Sequence, residues 1–227
     1  MKRDWDEIRR HIDERGFAVV PAMLDDAVCA AIADSYADDG LFRSRVVMRR
    51  HSFGEGEYKY FGYPLPAPVQ QLRESVYPEL APLANLWAER LGWDRRFPDT
   101  HAAWLKTCHE AGQTRPTPLV LDYGPGDYNR LHQDLYGDLH FPVQMAVMLS
   151  DPADFEGGDF VLTETQARKQ NRAEVIALNR GDAVIFTVNQ RPVPSRNGYS
   201  RVTMRHGVST VRSGHRRTLG VIFHDAR

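Results

Sequence analysis

Apolar and polar positions along the chain follow two different periodicities. In the first half, apolar residues recur at intervals of three and four, which is typical of amphipathic helices. Three helices are predicted from this spacing, over residues 4–15, 25–37 and 69–91. Pro78 and Pro82 fall inside the third pattern and predict a helix that is kinked or broken there. Short strands are expected at 45–50 and 58–61.

After about residue 116 the pattern changes to short apolar runs separated by turns that contain Gly or Pro. Eight of these runs are interpreted as strands, over residues 119–123, 129–132, 143–149, 160–162, 174–178, 183–187, 201–208 and 218–223. Many short strands favour a closed or double-sheet architecture. We therefore predict an α+β fold in a single domain over 1–227: a double-stranded β-helix (jelly-roll) core over 117–227, on which a mainly helical extension with short strands over 1–116 packs.

Composition narrows the classes of protein without deciding between them. The 227 residues are 42% hydrophobic and 26% charged, as in ordinary globular domains. Two cysteines, Cys29 and Cys108, are too few for a disulfide framework or a thiolate zinc site. The N-terminus lacks an apolar signal region, and no run approaches the roughly 20 apolar residues of a membrane span. We expect a cytoplasmic protein with no membrane partner.

The net charge of −1 hides an uneven distribution of arginine. Between residues 183 and 224 there is no Asp or Glu, yet seven arginines occur, at 191, 196, 201, 205, 212, 216 and 217. A second group, at 43, 45, 49 and 50, precedes Glu55. This asymmetry indicates an anionic ligand on one face, although solvated loop arginines would explain it equally well.

A His-x-Asp pair and a distant histidine supply the candidate metal ligands. On a strand, residues i and i+2 share a face, so His132 and Asp134 can reach one ion. His206 lies 72 residues after Asp134 and shares a face with apolar residues. Two imidazoles and one carboxylate form the facial triad of non-haem iron oxygenases, which leaves positions open for co-substrate and O₂. Zinc is possible in principle, but structural zinc prefers four ligands. A core histidine is the alternative for His206.

A strand-like segment begins ten residues after His206. Alternation places Arg216 and Thr218 on one face and the apolar residues on the other. If the apolar face packs beneath helices, Arg216 and Thr218 project together into the barrel. A guanidinium beside a hydroxyl suits the carboxylate of a dicarboxylic acid, because arginine presents a planar fork of donors. Arg217 falls on the packed face, although a one-residue bulge would exchange the two.

The order and spacing of these motifs resemble those of known enzyme families. The order His-x-Asp, distal His and Arg-x-Thr, over about residues 117–225, resembles the 2-oxoglutarate and iron(II)-dependent dioxygenases. The Tyr-Gly-x-Gly sequence at 123–126 resembles the prolyl-hydroxylase type, and the His-Gln-Asp sequence at 132–134 also resembles AlkB-like repair enzymes. The run over 131–225 is similar to a bacterial family of predicted oxygenases that act oxidatively on damaged DNA.

The resemblance implies an oxidoreductase that needs Fe(II), 2-oxoglutarate and O₂. Its reaction would be an oxidative hydroxylation or demethylation that releases succinate and CO₂. Iron would bind to His132, Asp134 and His206. The far carboxylate of 2-oxoglutarate would bind to Arg216, Thr218 and Tyr123.

The substrate stays open between three hypotheses. In the first, an alkylated, single-stranded or damaged nucleic acid binds, with Tyr58 and Tyr60 stacked on the target base. Its phosphates would be contacted by Arg49, Arg50 and Arg196. AlkB-like enzymes carry a second arginine where this chain has Ile222, which weakens the comparison with them. The second hypothesis is hydroxylation of a free amino acid, peptide or small metabolite. The third, a binding protein without catalysis, is disfavoured by the intact triad.

Overall fold

The computed structural model describes residues 3–227. Its four α-helices are α1 (Trp5–Arg15), α2 (Asp26–Asp34), α3 (Ala67–Leu91) and α4 (His101–Glu110). Caps define where several of them begin: the side chains of Asp4, Asp25 and Thr100 each accept a hydrogen bond from a backbone N–H of the first turn. No helix in this part of the chain is long and apolar enough to cross a membrane.

Residues 3–227 also contain fifteen strands and four short 3₁₀ turns. The strands are β1 (Phe17–Val20), β2 (Phe42–Val47), β3 (Gly54–Glu55), β4 (Glu57–Phe61), β5 (Leu119–Tyr123), β6 (Tyr128–His132), β7 (Val143–Met148), β8 (Phe155–Gly157), β9 (Phe160–Thr165), β10 (Arg172–Ile176), β11 (Ala183–Thr187), β12 (Gln190–Ser195), β13 (Gly198–Val208), β14 (Val211–Gly214) and β15 (Arg216–Val221).

The strands form two principal antiparallel sheets. The larger has the order β1-β11-β7-β15-β5-β4-β2, and the smaller has the order β10-β9-β13-β6-β3, with β12 paired to β13. Strands β8 and β14 form a separate pair. Strands distant in sequence lie side by side in both sheets, as in the predicted jelly roll, and the predicted α+β class is confirmed.

The helices cover one face of the larger sheet. Apolar side chains of that face, including Leu219 and Val221 of β15, belong to one buried cluster with residues of α3 such as Trp87 and Tyr77. The opposite face of the sheet looks toward the smaller sheet, where a second apolar cluster contains Phe160, Met204 and others. The space between the sheets is the part of the fold that holds the site.

Helix α3 is longer than predicted and continues through both Pro78 and Pro82. A proline inside a helix costs about 3 kcal/mol or more. However, twelve residues of α3 are buried, and burying one large apolar side chain contributes about 1.5–3 kcal/mol. Packing against the sheet outweighs the prolines, so of the two predicted outcomes, a kink or a break, the break does not occur.

The first 116 residues, predicted as a mainly helical extension with short strands, supply four strands to the two sheets. The strand predicted at 45–50 is β2 and ends at Val47, after which Met48–His51 forms a 3₁₀ turn. The helix predicted at 25–37 ends as α2 at Asp34 and continues as a short 3₁₀ turn, Ser35–Ala37.

Six elements were not predicted: β1, β3, β8, β12, β14 and α4. Strand β12 contains two prolines, which remove backbone donors and argue against a strand in the sequence. Helix α4 buries only three side chains, so its apolar stripe is too weak to stand out.

Candidate metal centre and co-substrate pocket

A cavity of about 450 Å³ lies between the two sheets. Its walls are mainly apolar and come from both sheets, with Phe160 and Phe186 among the lining residues. The polar side chains that the sequence singles out for iron and 2-oxoglutarate all line this one cavity: Tyr123, His132, Asp134, His206, Arg216 and Thr218.

Strand pairing brings the three candidate metal ligands together. His132 of β6 is the direct cross-strand partner of His206 on β13, and their ring centroids are 4.2 Å apart. The Nε2 atoms of both histidines lie 3.4 Å from oxygens of Asp134, His132 from Oδ1 and His206 from Oδ2. One ligand atom from each residue lies within 4.8 Å of the others. The arrangement suits a single ion held by two nitrogens and one oxygen.

Neighbouring groups orient the two imidazoles. The Nδ1 of His132 lies 2.7 Å from the backbone carbonyl oxygen of Arg130, to which it donates, so Nε2 keeps its lone pair for a metal. The ring of His206 lies against the rings of Phe160 and Phe186, at centroid distances of 5.9 and 4.7 Å. Burial, and then the charge of His132, lower the pKa of His206, which favours the neutral imidazole that binds metals.

Two residues that the sequence did not single out hold the carboxylate of Asp134. The Tyr136 hydroxyl donates to Oδ1 at 2.7 Å, and Gln144 Nε2 donates to Oδ2 at the same distance. Burial would raise the pKa of Asp134, but hydrogen bonds from His132 and His206 hold that pKa well below its ordinary value. The alternation of His132, Asp134 and Tyr136 is a signal that could have identified Tyr136. Gln144 lies on another strand, and no local spacing points to it.

Arg216 is the most unusual charged residue of the cavity. Its side chain is 1% exposed, and its Nε and Nη1 atoms have no hydrogen-bond partner. Its guanidinium carbon lies 5.5 Å from the centre of the Tyr123 ring. Burial lowers the pKa of Arg216 to about 10, so the group is still charged at neutral pH. An unpaired buried charge is unfavourable, and its donors fit an anionic ligand in the cavity.

Gly158 leaves the space that Arg216 occupies. This glycine has φ of +63°, and a Cβ atom built on it would lie 2.7 Å from Cδ of Arg216. Both the left-handed backbone and the close approach therefore require glycine. The Gly-Gly turn at 157–158, a turn signal in the sequence, also makes room for the arginine.

Arg217 has its own partners outside the cavity. Its Nε donates to Asp122 Oδ1 at 2.6 Å, and Nη1 donates to the carbonyl oxygen of Ala33 at 3.3 Å. Strand β15 pairs with β5 in unbroken register, with Arg216 opposite Tyr123 and Arg217 opposite Asp122. No bulge exchanges the two arginines.

The two tyrosines proposed to stack on a base differ in position. Tyr58 is half-buried and lines the cavity. Tyr60 is 7% exposed, donates its hydroxyl hydrogen to Tyr136 at 2.9 Å, and has the Arg43 guanidinium 4.5 Å above its ring. Because its ring is already covered, Tyr60 cannot offer a free face to a base, and that part of the hypothesis is corrected.

The three arginines proposed to contact phosphate do not form one surface. Arg49 pairs with Glu55 at 2.6 Å. Arg196 lies in the turn between β12 and β13, ten residues before His206, which is about 33 Å of extended strand. The structure therefore does not bring Arg196 to the cavity. Arg50 is exposed in the turn after β2, close in sequence to the cavity-lining residues Ser52 and Phe53.

Comparison with known protein families shows which family has a sequence similar to this chain. Residues 56–226 match the model of the Oxygenase-NA family, described as oxygenases catalysing oxidative methylation of damaged DNA. The match includes strands β4 to β15, the triad and Arg216. The chain belongs to this oxygenase family. It is therefore an oxidoreductase, as the resemblance implied.

The chain is also similar to individual proteins. The uncharacterized protein Rv2227 of Mycobacterium tuberculosis is 44% identical over 189 residues, which cover 83% of this chain and 78% of that protein. A prolyl-4-hydroxylase of Pseudomonas putida has a similar structure, with a TM-score of 0.57 and 14% identity, covering 99% of this chain and 100% of that one.

Two further structures show the same fold. An oxidoreductase of the 2OG-Fe(II) oxygenase family from Burkholderia pseudomallei has a TM-score of 0.53 at 15% identity and covers 100% of this chain and 94% of that one. A Trichoplax adhaerens prolyl hydroxylase, solved with a hypoxia inducible factor peptide, has a TM-score of 0.60 at 13% identity, covering 96% and 87%. The His₂Asp donor set and the unpaired Arg216 of this chain fit Fe(II) and 2-oxoglutarate, which the family name of the Burkholderia protein carries.

Proposed function

We propose that the protein is a 2-oxoglutarate-dependent iron(II) dioxygenase that oxidises methylated bases in damaged nucleic acid. His132, Asp134 and His206 would hold the iron. Arg216, Thr218 and Tyr123 would hold the far carboxylate of 2-oxoglutarate. The observation that carries the reaction type is Arg216, a buried cation with two unpaired donor nitrogens in the same cavity as the triad.

Fe(II) bound with 2-oxoglutarate and O₂ would supply the oxidant for hydroxylation of a substrate C–H bond, with succinate and CO₂ as the co-products. The chain supplies the arrangement around this chemistry. Tyr136 and Gln144 fix both oxygens of Asp134, and the carbonyl of Arg130 fixes the ring of His132. Arg216 presents donors to one end of the co-substrate. The apolar walls limit the access of water.

The substrate class rests on the family description and on the chemistry it allows. Hydroxylation of an N-methyl group gives a hydroxymethyl product, which breaks down to formaldehyde and the unmodified base. The reaction thus removes a methyl group from a damaged base. A cavity open to the surface and lined by Tyr58 suits a base displaced from its stack.

Succinate release stimulated by candidate substrates tests this proposal. Methylated single-stranded DNA and RNA oligonucleotides would be compared with free amino acids, peptides and small acids, each over a series of salt concentrations. We expect methylated oligonucleotides to stimulate succinate release, with one formaldehyde formed for each succinate. We also expect binding to weaken steeply with salt, because phosphate contacts release counterions. Turnover of a small acid or amino acid, with no oligonucleotide response, would replace the substrate class and leave the reaction type.

A further inference from the structure

The entrance of the cavity carries an apolar patch that the proposed chemistry does not use. Among residues 3–227, eight large hydrophobic side chains are exposed, and three of them line this cavity: Phe53 at 48%, Leu131 at 48% and Leu135 at 41%. Leu131 and Leu135 flank the His-x-Asp ligands in sequence, and Phe53 lies in the turn before β3. Exposed apolar groups gathered at the mouth of an active site indicate contact with a substrate.

Neighbouring groups hold the ring and the backbone of Phe53 in position. Its ring lies nearly parallel to the ring of His51, with centroids 5.4 Å apart and an interplanar angle of 23°. Its backbone N–H donates to the Met48 carbonyl oxygen at 3.2 Å, and its carbonyl oxygen accepts from Arg130 N–H at 2.9 Å. The second bond ties the segment to β6, the strand that ends at His132. The position of Phe53 is thereby fixed relative to the metal ligands.

Two exposed cations accompany this aromatic group. Arg130 lines the cavity, and Arg50 lies three residues before Phe53. Within the described chain, neither guanidinium has a carboxylate within 4.0 Å, whereas the neighbouring Arg49 is paired with Glu55. Aromatic rings interleaved with unpaired cations are the combination that binds single-stranded nucleic acid, since bases stack on the rings and phosphates contact the cations.

We propose that Phe53, backed by His51, is the platform on which a base of a single-stranded substrate stacks at the cavity entrance. Arg50 and Arg130 contact the phosphates beside that base, and Leu131 and Leu135 complete the apolar rim. This inference rests on the proposed function, whose substrate class it deepens. It transfers the stacking role from Tyr60, whose ring is covered, to a residue with a free face.

Substitution of Phe53 tests the platform. Phe53→Ala is expected to raise both the Kd of a fluorescein-labelled methylated oligonucleotide and the KM for its unlabelled form by roughly five- to a hundredfold. Phe53→Trp should restore both, because it keeps a stacking face. The KM for 2-oxoglutarate should not change. Tyr199→Ala is the matched control: it removes an aromatic residue that is 43% exposed but lies seven residues from His206 along β13.

The cations are tested by salt dependence. Arg50→Ala and Arg130→Ala should each lower the slope of log Kd against log salt by about one, and Arg196→Ala should leave it unchanged. If wild-type protein oxidises methylated oligonucleotides and Phe53→Ala does so equally well, the platform is refuted and the proposed function stands. If wild type binds Fe(II) and 2-oxoglutarate but responds to no oligonucleotide, the substrate proposal fails and this inference fails with it.

Discussion

Two fully buried arginines lie on opposite sides of strand β15 and differ in how they are paired. On the helical side, Arg73 of α3 donates to the Ile222 carbonyl oxygen at 2.9 Å, to Asp225 at 3.0 Å and to the Tyr63 hydroxyl at 3.3 Å. On the cavity side, Arg216 leaves Nε and Nη1 without a partner. The side chains are 0% and 1% exposed, so burial alone does not distinguish them.

The difference indicates that the charge of Arg73 is structural, whereas the charge of Arg216 is available to a ligand. Arg73 and Asp225 form an ion pair that excludes solvent, and His109 also contacts Asp225, with its Nε2 2.8 Å from Oδ2. All three guanidinium nitrogens of Arg73 have partners, and the pair joins α3 and α4 to the end of the sheet. Arg216 faces an open cavity, and its unpaired donors are tolerable because an anion can bind there. Four experiments test this contrast, from the largest expected effect to the smallest.

Removing the carboxylate at the centre of the cavity should abolish activity. Asp134→Ala deletes the only anion among the three proposed ligands, so we expect loss of stoichiometric Fe(II) binding and of the weak visible band that 2-oxoglutarate adds under anaerobic conditions. Circular dichroism should still report a folded protein. Asp138→Ala, which removes an exposed carboxylate paired with Arg227, is the control and should retain both signals. A normal band in Asp134→Ala would show that the metal is held elsewhere.

Neutralising the two arginines should have different effects on stability. Arg73→Met leaves Asp225 buried beside fewer donors and should lower the free energy of unfolding by about 3–5 kcal/mol. Arg216→Met removes an unpaired charge and should leave the free energy of unfolding unchanged or higher. Urea denaturation without 2-oxoglutarate measures both.

Added 2-oxoglutarate provides the complementary measurement. It should stabilise wild type and Arg73→Met in the presence of Fe(II), because a ligand that binds only the folded state favours that state. It should stabilise Arg216→Met far less. Equal destabilisation by the two substitutions would mean that Arg216 is structural as well, and the contrast would be lost.

The co-substrate requirement should depend on which neighbouring arginine is changed. Arg216→Lys keeps the charge but loses the planar fork, and the KM for 2-oxoglutarate should rise by about ten- to a hundredfold. Arg217→Lys is the matched control, since Arg217 pairs with Asp122 outside the cavity, and it should raise that KM far less. Initial rates of succinate formation give both values. The reverse ranking would place the co-substrate against the other face of β15.

The sequence predicted the parts of the site that follow strand alternation. Arg216 and Thr218 are two residues apart on β15, so alternation alone assigns them to one face. The same spacing indicated that His132 and Asp134 lie close together, although β6 ends at His132 and Asp134 follows it. The apolar spacing of α1 and α3 likewise predicted helices. Strand β12 could not be predicted, because prolines are disfavoured in strands and β12 contains two. Its pairing with β13 outweighs that local preference.

Contacts between distant parts of the chain could not be predicted from the sequence either. Nothing local indicates that Gln144 reaches Asp134, that Arg43 covers Tyr60, or that Arg196 lies far from the cavity, because each depends on how strands pair across the sheets. The same holds for Phe53, which a bond to Arg130 places at the entrance. Residues outside the motif spacing were therefore found only from the three-dimensional arrangement.

Tyr136 allows the smallest and most specific test of the cavity side. Tyr136→Phe removes one hydrogen bond to Asp134 and leaves the one from Gln144, so the carboxylate should be less well fixed. Loss of such a support typically weakens metal binding, and we expect about a tenfold higher Kd for Fe(II), measured by anaerobic titration. The 2-oxoglutarate band should shift while the unfolding free energy of the metal-free protein changes little. Tyr60→Phe is the control, because it removes a hydroxyl that contacts Tyr136 and not Asp134. If Tyr136→Phe leaves Fe(II) binding unchanged, the Tyr136 hydroxyl does not position Asp134, and Gln144 alone fixes the carboxylate.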